Sequence, residues 1–128
     1  MTQAYTTREQ SRILIGYGLP KESADVVFYG DGVSEVSTTS GRHGVPAWST
    51  ARLMELLPDK LISKHIHGYR HFLFIEKNSV GTWNVGYEGF TGKDKVEGLS
   101  LMWKANLTEA LFELVCNLLI QGYKLMEV

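Results

Sequence analysis

Three of the chain's four histidines fall within seven residues, His65-Ile66-His67-Gly68-Tyr69-Arg70-His71. In an extended segment alternate side chains share a face, so His65, His67 and His71 would stand together with Lys64, Ile66 and Arg70 opposite. Three imidazoles on one face are a donor set suited to Zn²⁺, with His43 or Asp59 as a fourth ligand. Two features weigh against that reading. The same face continues into Leu73 and Ile75, which are core types, while Phe72 and Phe74 bury the other side. Gly68 also permits a bend that would break the alignment. The competing reading is a solvated strand entrance whose imidazoles bond to backbone or water.

Other reactive patterns are weaker. Cys116 lies in the apolar run ALFELVCNLLI, where a thiol behaves as a small buried hydrophobe, and a single cysteine closes no internal disulfide. Ser49 reads as a helix cap rather than a nucleophile, and no G-x-S-x-G elbow is present. Glu76 and Glu88 form a pair without a visible cause for a perturbed acid. GDG and GFTGKDK lack the spacing of a phosphate loop, and neither leads directly into a helix. No catalytic residue and no cofactor is expected.

Binding chemistry is better represented. Trp48, Trp83, Tyr87, Phe90 and Trp103 are many large rings for 128 residues, and such rings dominate both cores and interface hot spots. Core packing accounts for most of them. Trp83, Tyr87 and Trp103 are the candidates for an exposed set, on a sheet face opposite the last helix. Lys60, Lys64 and Arg70 form a local basic patch beside the histidines and are the candidates for contact with nucleic acid.

These residues need elements to position them. Thr6 and Glu9 have capping-box spacing and start a helix over 7–15, which Gly16 and Gly18 end. KESAD makes a short turn, and VVFYG-DG-VSEVS reads as a hairpin closed by Asp31-Gly32. TTSGRHG is a polar loop. Ser49 caps a helix to about Leu57, stopped by Pro58, with Trp48 stapling back onto Leu53. YRHFLFIEK, TWNVGYEG and GLSLMWK are strands, the first two joined by NSVG and the last two by the polar GFTGKDKVEG. Asn106 and Glu109 open the clearest element, a helix to Gln121 with Gly122 after it. Its apolar residues, Leu107, Leu111, Leu114 and Leu118 flanked by Phe112, Cys116 and Ile120, cover most of its circumference, so it packs across the sheet and touches a further helix or a partner subunit.

The expected fold is a single α+β domain with a three-stranded antiparallel sheet. Residues 48–128 form an α-β-β-β-α core, and 1–47 a helix-and-hairpin layer upon it. That order is also the order of double-stranded RNA-binding domains. The resemblance is topological only, because Glu109 stands where those domains place lysines to meet phosphate.

A net charge of −1 gives no reason to expect a polyanionic partner. The opening MTQAYTTREQSR has no apolar leader and no run approaches the length of a membrane span, which makes a cytoplasmic location the expectation. The blocks TTREQSRILIGYGLPKESAD, PAWSTARLMELLP and NLTEALFELVCNLLIQGY resemble a family of small uncharacterised proteins of gut bacteria and their phage-like or mobile elements. The resemblance implies a compact domain in a mobile-element setting and supplies no activity. The leading functional expectation is a non-enzymatic accessory protein that acts through protein contacts, a second copy of itself included. Nucleic acid ranks behind that, followed by metal at the histidines.

Overall fold

The layout follows from one helix that has little surface to give to water. In the computed structural model, which describes residues 3–29, 32–35, 44–62, 70–91 and 94–126, α3 spans Leu107–Gln121 and buries eight of its residues. Asn106 caps it by accepting from the Glu109 N–H at 3.3 Å, and Gly122 closes it in the left-handed region at φ 81°. Burying leucines such as Leu111, Leu114 and Leu118 is worth about 1.5–3 kcal/mol each, which is enough to make this helix the support of the core.

In chain order, α1 (Arg8–Gly16) and a 3-10 turn (Lys21–Ser23) lead into β1 (Val26–Tyr29), β2 (Gly32–Glu35) and β3 (Val45–Ala47). Then come α2 (Thr50–Leu56), β4 (Lys60–Ile62), β5 (Arg70–Lys77), β6 (Trp83–Thr91) and β7 (Asp94–Lys104), before α3. The protein is α+β, with two antiparallel sheets: a small one in the order β2-β1-β3 and a four-stranded one in the order β4-β5-β6-β7. Among the described residues no helix is long and apolar enough to cross a membrane.

The sheet is one strand wider than expected. β4 pairs with β5 through Lys60↔Phe72, Leu61↔His71 and Ile62↔Arg70; three residues are too few to declare a period in the sequence. The polar stretch expected to connect the last strands instead continues their ladder, with Gly89 opposite Glu97 and Thr91 opposite Asp94. Charge does not prevent pairing where backbone partners are already aligned. In the small sheet, Tyr29 stands opposite Gly32, so Gly32 already belongs to the ladder rather than to an Asp31-Gly32 turn; residues 30 and 31 lie outside the described residues, as does all of TTSGRHG but its last glycine. β3 was not expected at all: it is paired by β1, through Val26↔Ala47.

The first helix also starts one residue later than its capping box suggested. Thr7 is the cap, accepting from Gln10 N–H while the Gln10 side chain accepts from Thr7 N–H. Thr6 is withdrawn into the core, where its hydroxyl meets Ser11 Oγ at 2.8 Å and accepts from Trp48 N–H at 3.1 Å. Ser49 caps α2 as expected, accepting from Arg52 N–H. Asp25 in turn accepts from the Ser49 N–H at 2.8 Å and from its hydroxyl.

The core forms where α3 lies across β6 and β7 of the large sheet, with α1 and α2 against α3. It contains Leu14, Trp48, Leu53, Leu56, Val85, Tyr87, Leu111, Leu114 and Leu118, with Leu73, Ile75 and Met102 partly buried against it. Trp48 is buried beside Leu53 and donates its indole N–H to Ser23 Oγ at 3.0 Å. The N-terminal segment is sewn between two helix starts: Thr50 N–H donates to Ala4 O, and Thr108 Oγ1 donates to Gln3 O.

Two glycines give contrasting expectations. A Cβ on Gly89 would sit 2.8 Å from the buried His71 ring, so Gly89→Ala should lower unfolding free energy by about 1–3 kcal/mol through overpacking. Gly16 has open space and an ordinary helical backbone, so Gly16→Ala should raise it by about 0.5–1 kcal/mol. Urea unfolding of both variants checks the pair.

Candidate interaction face

Because α3 packs on one side of the four-stranded sheet, period-two alternation sends every second residue to the other side. In β5, His71, Leu73 and Ile75 point toward the core, and Arg70, Phe72, Phe74 and Glu76 point away. Pairing then assembles the outer surface. Ile62 lies beside Arg70, and Lys60 and Glu88 flank Phe72. Gly86 lies beside Phe74, and Asn84 lies between Glu76 and Trp103.

This face carries apolar groups that solvent-facing strands ordinarily avoid. Ile62 is 61% exposed, Phe72 47% and Trp103 67%. Gly86 provides no side chain next to half-buried Phe74, so the centre of the face is shallow. Lys60, Arg70 and Glu76 are exposed beside these groups, so the face carries apolar side chains interspersed with charges of both signs. Asn84 Oδ1 is buried beneath this surface with no hydrogen-bond partner among the described residues.

Of the three aromatic residues singled out from sequence, only Trp103 is on this face. Tyr87 is 0% exposed and lies on the helix side with Val85; its hydroxyl donates to Pro58 O at 2.7 Å. Burial, then the nearby Asp59 carboxylate, raises its pKa far above the ordinary phenol value and keeps it protonated. Trp83 shares Tyr87's parity at the strand end, half-buried, with Lys77 Nζ 5.6 Å from its ring centroid. Alternation identifies which residues of a strand belong together, but the side that a helix covers is decided by packing. Ile62 escapes the pattern for another reason: β4 is too short to show a period in the sequence. Phe72, expected to be buried, carries the opposite signal in its parity with charged Arg70 and Glu76.

The histidine set does not assemble as a described site. His65 and His67, with Lys64 of the basic patch and His43, lie outside the described residues. His71 is 1% exposed. Rather than standing at a solvated strand entrance, it packs as a core residue, its ring filling the space over Gly89; its parity with Leu73 and Ile75 is the reason. Among the described residues no three His, Cys, Asp or Glu side chains gather to hold a metal. Lys60 and Arg70 are both exposed on the open face.

Of the concavities elsewhere, two involve α3. A cleft of about 520 Å³ between the 3-10 turn, α2 and the C-terminal tail is lined by Leu19, Leu56, Leu119, Tyr123 and Leu125. A shallower groove between α1 and α3 exposes Ile13, Tyr17 and Ile120 above Cys116. Neither gathers a nucleophile with a base. Burial, and then Glu113, pushes the Cys116 thiol up to about 11, which removes the thiolate that reactivity requires. No family model matches the chain, and no curated protein or solved structure matches it either.

The thiol sets an alkaline limit on stability. Its folded pKa of about 11 lies above its ordinary value of 9.0. Above pH 9 the unfolded chain therefore releases a proton that the folded chain keeps, and stability falls as pH rises toward 11. Tyr87 acts with the same sign above its ordinary value of 10.0. The urea midpoint should be insensitive to this thiol below pH 9 and should decline above it. Cys116→Ala should remove the part of the decline that begins near pH 9.

Proposed function

We propose that the protein is a non-enzymatic interaction module of the bacterial cytoplasm, an accessory protein of the phage or mobile-element class its sequence resembles. Its contact surface is the open face of the four-stranded sheet. The observation that carries this reading is the exposure of Ile62, Phe72 and Trp103 on that one face. Exposed rings on a rigid sheet are anchors of the kind that concentrate binding energy in protein interfaces, and several large apolar groups on one face of a folded domain favour a contact site there.

The charge pattern favours a protein partner. Lys60 and Arg70 share the face with Glu76 and Glu88, so positive and negative charge alternate over one surface. A partner that itself carries both signs complements this arrangement, whereas a phosphate backbone would meet the two carboxylates. A second reading has one observation in its favour: Lys60 and Arg70 lie close to Phe72, and cations beside exposed rings are how sheets hold single-stranded nucleic acid.

Phe72→p-benzoylphenylalanine, which keeps a ring at this exposed position and extends it with a photoreactive ketone, separates the two. Irradiation in bacterial cells should give discrete cross-linked protein species at position 72, and none from the same group placed at exposed Arg12 on α1. Cross-links to nucleic acid alone would transfer the assignment to the second reading, and no position-specific product would remove the face as a contact site.

A further inference from the structure

On the open face, β5 reads Arg70, Phe72, Phe74, Glu76: a cation at one end, a carboxylate at the other, and two rings between. The two charges are six residues apart, about 20 Å along a strand, well beyond direct pairing within one copy. Turned end for end, the row presents a carboxylate where it had a cation and a ring where it had a ring. It is complementary to itself under a two-fold operation.

From this we infer that the occupant of the face is a second copy of the chain. This rests on the reading of the face as a protein-contact surface and names its partner. The two-fold axis lies across the strands beneath Leu73, between two sheets stacked face to face about 10 Å apart. Each Arg70 then meets Glu76 of the second copy, and each Phe72 meets Phe74 of the second copy. A two-fold interface uses every contact twice, so the single row supplies two ion pairs at the ends and two ring contacts at the centre. Gly86, beside Phe74, keeps the middle of each face low enough for the rings to approach. Lys60 and Glu88 flank Phe72 at the same level, so their opposite charges offset one another and leave Arg70 and Glu76 as the charged ends of the row.

The area sets the strength. Four strands at about 4.8 Å spacing and about 23 Å of length give roughly 450 Å² of flat surface, less than the roughly 800 Å² per partner of a standard interface. The dimer is therefore weak and reversible, with a dissociation constant in the micromolar range.

Sedimentation equilibrium of the full chain from about 1 µM to 1 mM tests this, with R70E and E76R each confirmed folded by thermal melting. Wild type should pass from monomer to dimer over that range. R70E alone and E76R alone should each raise the dissociation constant about tenfold or more, since each sets like charges against one another twice. An equimolar mixture of R70E and E76R should recover dimer within about threefold of wild type, because every contact is again between opposite charges. Wild type that stays monomeric to 1 mM overturns the second copy as occupant, as does a dimer indifferent to both charge reversals. The cross-link from position 72 separates the two readings. A product with another protein, together with a monomeric wild type, leaves the contact face standing and removes only the self-association. No protein product at all removes both.

Discussion

One apolar helix against one sheet is the constraint on which the molecule depends. α3 has apolar residues around most of its circumference, and the four-stranded sheet, with α1 and α2 beside it, is what removes them from water. A sheet has two faces, and this chain places α3 on one of them. The opposite face is therefore left to solvent whatever its sequence, and its character becomes a matter of which residues fall on the outward parity. Here they include isoleucine, phenylalanine and tryptophan.

The helix side is fastened by polar contacts as well as by burial. Thr6, Ser11 and Trp48 tie α1 to the segment before α2, and Asp25 holds the cap of α2 in place. Thr108 and Asn106 bind the N-terminal segment to the start of α3. Each of these groups is partly or wholly withdrawn from water, where an unmade hydrogen bond costs about 1–3 kcal/mol, so the bonds specify one arrangement of the three helices. A rigid helix layer gives the sheet a fixed backing. A fixed backing lets exposed rings on the other side act as preorganised anchors rather than as side chains that must be ordered on contact.

The candidate site was legible in part, and the division has a physical basis. That Trp103 would be available, and that Lys60 and Arg70 would be exposed near the β5 entrance, could be read from local pattern. Tyr87 was placed on the wrong side because strand alternation is symmetric: it says that Trp83, Val85 and Tyr87 belong together but not which way they point. His71 looked reactive for its neighbours in sequence, His65 and His67. In the fold its neighbours are the core side of β5 and the bare backbone of Gly89, which give its ring a packing role. Phe72 and Phe74 suggest a second buried side of β5; the charged companions on the same parity, Arg70 and Glu76, are the better guide.

By itself, the sequence determined the elements with strong local signals. Ser49 and Asn106 could be read as caps because each side chain satisfies a backbone donor three residues along. The last helix could be read because its apolar residues recur over four turns, and the long strands of the sheet because their period is two. These interactions are short in sequence and are present wherever the chain is. What tertiary structure decided was everything that depends on a partner distant in sequence: the three-residue strand β4, which exists because β5 is there to pair with it; β3, which β1 recruits; and the outward face itself. The open face is drawn from four strands between positions 60 and 104. Only their register brings Ile62, Phe72 and Trp103 onto one surface, and only the choice of side by α3 leaves that surface exposed.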